Sequence, residues 1–159
     1  MKVQSVIPKL IAFALERNRG YKYKYNLASA VISSKTIFYG RNSGDCRING
    51  KSTSSVHAEV DAIKRNGKKS IGRVLIVIRV DADGNLKFSK PCKNCSDIIK
   101  TSGIKKVYYI SSQGNLVWER AFLLSSEHLS RAQRDTLILI SSRFTQDVKI
   151  LSTKPKKEQ

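Results

Sequence analysis

Val3, Val6, Ile7, Leu10, Ile11, Ala14 and Leu15 recur at helical spacing. Ser5 stands where an N-cap is wanted, and Pro8 falls in the first turn, where its missing N–H costs little. Gly20 stops the run, so residues 6–18 are predicted to be a helix with one buried stripe. Residues 21–25 then alternate tyrosine and lysine, and 27–32 and 36–39 read as strands joined through Ser33, Ser34 and Lys35. Residues 40–52 are polar and aperiodic, the signature of a loop. Thr53, Ser54 and Ser55 offer caps for a second helix that sets Val56, Val60 and Ile63 on one face. Lys64 and Arg65 suit its C-terminal dipole, and Gly67 ends it.

The unbroken apolar run 74–78 predicts a strand over 73–80 covered on both faces. Residues 81–85 form a turn, and 86–88 a short extension. After Pro91 a third helix runs to about Ser102, with Cys92, Cys95, Ile98 and Ile99 on one side. Residues 107–110 and 116–118 are strands separated by so short a link that they must form an antiparallel hairpin, with Trp118 expected in the core. Leu129, Ala132, Leu137 and Ile140 predict a last helix over about 126–140. This order of elements predicts an α/β fold, a three-layer α-β-α sandwich around a single central mixed five-stranded sheet whose last two strands are antiparallel. Residues 1–150 are expected to be one domain, and 151–159 a basic, disordered tail.

Composition narrows the setting. Of 159 residues, 40% are hydrophobic, enough for one core. No apolar run reaches the ~18 residues of a membrane span. The N-terminal apolar stretch carries Pro8 and Lys9 and has no small-residue cleavage site, so no signal peptide is expected. Three cysteines, two of them in a C-x-x-C, argue against a disulfide framework and for a reducing, cytoplasmic setting. The formal charge of +18 is uneven: residues 1–80 hold 16 basic against 4 acidic side chains, and 81–159 hold 14 against 8. Such a field concentrates polyanions.

Two short stretches carry chemistry. His57-Ala58-Glu59 offers an imidazole and a carboxylate, and Pro91-Cys92-Lys93-Asn94-Cys95 offers two thiols. Cys92 and Cys95 share one face of a first helical turn, where the partial positive charge favours thiolates. His57, Cys92 and Cys95 make a three-ligand zinc set with a fourth position for water, the catalytic form of such a site. Zinc lowers the pKa of that water to ~7, and Glu59 beside it can take the proton and deliver it to a ring nitrogen and a departing amine. Two residues apart on a helix, His57 and Glu59 point to opposite sides, and they converge only if the metal lies off the helix end. A closed structural site is the competing reading, with Cys46 or His128 as fourth ligand. The domain would then be a zinc-stabilised nucleic-acid-binding module without turnover.

The pattern H-A-E, then C-x-x-C preceded by proline, resembles the zinc deaminase signature of the cytidine deaminase-like superfamily, and the resemblance extends over roughly residues 1–140. It implies one catalytic Zn2+ held by His57, Cys92 and Cys95, with Glu59 as proton shuttle and hydrolytic loss of an exocyclic amine from cytosine or adenine. Asn42, in Tyr39-Gly40-Arg41-Asn42, resembles the asparagine after the second strand that contacts the sugar in many members, and Ala58 of the motif is likewise placed against the substrate. Lys90 departs from the pattern, since it stands where adenosine deaminases of transfer RNA often have an acid and polynucleotide cytidine deaminases a serine. Nucleoside-type and several toxin-type deaminases have the antiparallel last pair of strands. The enzymes that edit transfer RNA, and the vertebrate polynucleotide cytidine deaminases, run that pair parallel. The hairpin therefore favours cytosine over adenine, with adenosine-to-inosine deamination of RNA as the alternative. The expected partner is a cytosine-containing nucleotide or single-stranded DNA or RNA, with no membrane. Arg17, Arg19, Lys22, Lys24, Arg41, Arg47 and Lys51 lie in loops that border the active-site mouth in that fold. Because many relatives form dimers or tetramers, a homo-oligomer is also expected.

Overall fold

Every second residue of the long apolar strand faces the same way, and helices on the two sides sort the core into two clusters. The computed structural model describes residues 3–16, 26–33, 36–42, 46–48, 51–53 and 56–129. The chain divides at His128 into two compact units, and all described residues except Leu129 belong to the first. The strands are β1 (Asn26–Ile32), β2 (Ile37–Arg41), β3 (Cys46–Ile48), β4 (Lys51–Thr53), β5 (Val74–Val80), β6 (Leu86–Lys87), β7 (Lys106–Ile110) and β8 (Leu116–Arg120). The helices are α1 (Ile7–Leu15), α2 (Ala58–Asn66) and α3 (Lys93–Thr101).

The main sheet runs β2-β1-β5-β7-β8, with β6 folded back antiparallel onto the end of β5. Among the described strands only β5 and β7 are parallel; β7 and β8 are antiparallel, as their short connection requires. Leu75, Val77, Val107 and Tyr109 face α2 and α3, where Ala62, Ile63, Cys95 and Ile99 complete one cluster. Ala28, Ala30, Ile76, Ile78 and Val80 face α1, which supplies Leu10 and Ala14. The mixed sheet with helices on both faces is the predicted architecture, with β6 as one strand more.

Several boundaries differ from the pattern reading. α1 begins after a 3-10 turn over Val3–Val6, and Val6, not Ser5, is its N-cap. The polar stretch 40–52 contains the small antiparallel hairpin β3–β4, with Cys46 opposite Thr53. Trp118 is 50% exposed instead of buried, because β8 is an edge strand. Residues 124–129 have no regular structure, and the rest of the predicted last helix and the tail lie outside the described residues. The stretches 17–25, 43–45 and 49–50 also lie outside them.

One close approach positions α2. A Cβ on Gly40 of β2 would sit 2.8 Å from Ala62 Cα and nearer still to Ala62 N and the Ala58 carbonyl. Glycine is required there because the helix backbone lies directly on the strand. The Ser29 hydroxyl donates to the Ala58 carbonyl at 2.6 Å, and the Arg41 N–H donates to Asp61 Oδ2 at 3.2 Å. The first turn of α2 is thereby tied to both β1 and β2.

Candidate metal centre

His57 is the N-cap of α2, with extended backbone (φ −72°, ψ 152°), so its ring leaves the helix instead of lying on it. That removes the geometric conflict with Glu59, which sits inside the first turn. Cys92 plays the same part for α3 (φ −68°, ψ 168°), with Cys95 inside the first turn. Two helix N-termini therefore converge, each contributing a cap residue and a second group within its first turn. Ser89 fixes the approach to Cys92: its hydroxyl donates to the Val77 carbonyl and accepts from Ile110 N–H, both at 2.8 Å. It thus bridges the adjacent strands β5 and β7. The Lys93 N–H, orphaned at the helix start, donates to the His128 carbonyl at 2.9 Å.

His57 Nδ1 lies 3.2 Å from Cys95 Sγ and 3.5 Å from Cys92 Sγ. The three ligand atoms all fall within 4.8 Å of one another. Among the described residues this is the only such group of metal-binding side chains. His128 is exposed and does not join it, so its contribution is the carbonyl just named. The side chain of Cys46 lies outside what is described.

Electrostatics fit a cation. The Cys92 thiol is pulled down to about 4 by hydrogen bonding from Cys95, against its own burial and with help from His57. The Cys95 thiol is pushed up, since it donates to that sulfur and is itself buried. His57 is raised, chiefly by its hydrogen bond with Cys92 and against burial. Glu59 is 2% exposed, and burial pushes its carboxyl above the usual range. Among the described residues its Oε2 has no hydrogen-bond partner. A buried carboxylate oxygen without a partner is costly unless a group outside the chain's own side chains meets it. Two thiols, one imidazole and that oxygen suit a single zinc and its water.

Asn42 follows β2, and its Oδ1 accepts from Leu27 N–H at 3.4 Å. Ala58 is fully buried between His57 and Glu59. The guanidinium of Arg41 lies 4.3 Å from the centroid of the Phe13 ring, so this member of the basic loops stacks on α1.

Lys90, the departure from the family pattern, is neutralised. Its Nζ lies 3.0 Å from Glu119 Oε1, and the Tyr109 hydroxyl donates to the same oxygen. Burial opposes the charge on Glu119, but Tyr109 and Lys90 outweigh it and hold the carboxyl below its usual range. Glu119→Gln should cost about 1–2 kcal/mol, the scale of a hydrogen bond to a charged group in a half-exposed setting. A carboxyl lowered by folding stabilises above its unfolded pKa of ~4.3, and that stability is lost as pH falls through the folded value. The gap in Tm between wild type and Glu119→Gln should therefore be open at pH 7 and close below about pH 4 in thermal scans.

Comparison with known proteins agrees with this geometry. The family profile of the cytidine and deoxycytidylate deaminase zinc-binding region matches residues 5–111. The structure is similar to a cytidine deaminase from Burkholderia pseudomallei (TM-score 0.58, 17% identity, covering 81% of this chain and 100% of that one). It is also similar to cytidine deaminases from Mycobacterium leprae (0.53, 15%, 79% and 99%) and Mycobacterium tuberculosis (0.50, 15%, 81% and 100%). At such identities these likenesses speak for the fold alone. A search of curated protein sequences finds no match. Among the described residues no helix is long and apolar enough to cross a membrane. The motif His57-Ala58-Glu59 and the Cys92/Cys95 pair both fall inside the matched span, and the chain belongs to the cytidine and deoxycytidylate deaminase family.

Proposed function

We propose that the protein hydrolyses the exocyclic amine of a cytosine base, giving uracil and ammonia. The observation that carries this reading is the buried Glu59 oxygen, left without a partner beside three converged metal ligands. His57, Cys92 and Cys95 would hold a zinc ion, which would supply a water acidified to near neutrality. Glu59 is the acid–base group: at Oε2 it takes a proton from the attacking water and gives it to ring N3 as the hydroxyl adds to C4. It then takes the proton of that hydroxyl and passes it to the amine, which leaves as ammonia when the C4–N bond breaks. Burial holds its carboxyl above the usual range, the direction suited to a group that must both accept and donate near pH 7. Ala58 stands in the first turn of α2, so its N–H has no intrahelical acceptor and is assigned to the base, while its carbonyl is held by Ser29. Asn42, at the end of β2, is assigned to the sugar. The antiparallel β7–β8 pair supports cytosine over adenine as the base.

The test is ammonia release with base identity by mass spectrometry, using zinc-loaded protein. The substrates are cytidine, deoxycytidine, their monophosphates and a mixed pool of single-stranded DNA and RNA. Uracil is the expected product, and its appearance in the monomers or only in the polymers assigns the substrate class. Inosine from RNA would replace cytosine by adenosine, and zinc binding with no product would leave a binding module.

A further inference from the structure

At the end of α3 remote from the metal ligands lies an open cavity of about 500 Å³. Lys100 and Cys92 are separated by roughly 12 Å along the helix axis, at about 1.5 Å per residue. The described residues that line the cavity are Lys100, Ile104, Lys105, Lys106, Arg120, Trp118 and Phe122, and no acidic side chain is among them. Trp118 is 50% and Phe122 66% exposed. Glu119 lies between Trp118 and Arg120 in sequence but points to the other face of the sheet, where Lys90 and Tyr109 hold it. Among the described residues none of the four cations is ion-paired.

Two features call for an anion. Lys106 and Arg120 are direct cross-strand partners of β7 and β8, and like charges placed opposite each other destabilise a sheet. An anion between them removes that cost. Lys106 Nζ also lies 4.2 Å from the centroid of the Trp118 ring, so charge and aromatic surface share one spot. A second copy of this face would set cations against cations, which disfavours self-association through it. Cations interleaved with exposed rings suit a strand that carries a phosphate for every base.

We propose that this cavity is a binding site for single-stranded nucleic acid, separate from the metal centre. It needs no chemistry at His57 or Glu59, so it stands or falls independently of the deamination reading.

The probe is a fluorescein-labelled thymidine 15-mer, whose base has no exocyclic amine, titrated by anisotropy against the full chain across a salt series. Lys106→Gln with Arg120→Gln should weaken binding at least tenfold at physiological salt and lower the log–log salt slope by about 1.4, near 0.7 per lost phosphate contact. Because it removes a like-charge pair, Tm should hold or rise. The matched pair Lys9→Gln with Lys64→Gln, exposed on α1 and α2, should change affinity less than threefold. Trp118→Ala should weaken binding about tenfold, and an abasic 15-mer should lose that dependence. Equal losses in the two glutamine pairs would reduce the effect to net charge and overturn the proposal. So would unchanged binding by Trp118→Ala, or sedimentation showing an oligomer that this substitution dissolves.

Discussion

Glu59→Gln should lower turnover by about 10²–10⁴-fold, the range a positioned acid–base group supplies, while the protein still binds one zinc. The amide keeps the shape of the carboxylate and cannot shuttle a proton. The three ligands are untouched, because His57, Cys92 and Cys95 are set by helix starts and strand ends rather than by Glu59. The same substitution should not destabilise the chain. Burial raises the Glu59 carboxyl, so the native state binds protons that the unfolded state releases between the ordinary and the raised pKa. Stability of the metal-free protein therefore falls as pH rises through that window, and the glutamine variant lacks this part of the slope. Thermal scans of chelated protein from pH 4 upward, beside a turnover assay, test both halves. Full activity with zinc bound would remove Glu59 from the mechanism. Loss of turnover without loss of stability would mark Glu59 as a residue kept for function at a cost in stability.

Much of this arrangement is legible in the sequence, and the misses have physical causes. The period-two and period-3.6 patterns place α1, β1, β5, α3 and the β7–β8 hairpin, because each buries an apolar face whose spacing the chain must respect. The grouping of His57, Cys92 and Cys95 is legible from the residue types and motif, and the fold brings the three together. What pattern reading cannot supply is the start of α2. Thr53, Ser54 and Ser55 look like caps, yet His57 takes that place with no side-chain cap bond, so from sequence the convergence of His57 with Glu59 rests on the condition that the metal lies off the helix end. Gly40 reads as the opening of a loop, whereas it is a strand residue kept bare by the backbone of α2. The β3–β4 hairpin has no alternating apolar face to announce it. Glu119, Tyr109 and Lys90 meet across two strands and a loop, a contact of long sequence separation with no motif. The exposed Trp118 misleads for the opposite reason, since tryptophan on a strand is ordinarily core and here sits on an edge.

The second large effect is the loss of the metal's contribution when Cys95 becomes serine. A ligand that binds only the folded state stabilises it by about 4 kcal/mol at a thousandfold excess over Kd, which is roughly 8–16 °C in Tm for a chain of this size. Wild-type protein should show that rise on adding zinc and lose it, together with all turnover, on chelation. Cys95→Ser should melt at one temperature with or without zinc, because a serine hydroxyl does not ionise to a ligand in this range. The affinity should also depend on pH in a stated direction. Cys92 is already pulled down to about 4, whereas Cys95 keeps its proton and must release it to bind. Zinc binding near neutrality therefore expels at least one proton, and because His57 is also raised, Kd should rise at least tenfold for each unit that pH falls. Calorimetry in two buffers of different ionisation enthalpy counts that proton directly. Cys46→Ser is the decisive companion. In a three-ligand centre it leaves the zinc-induced rise in Tm intact, whereas in a closed four-ligand site it abolishes that rise as completely as Cys95→Ser does, and Glu59 would then have no water to act on.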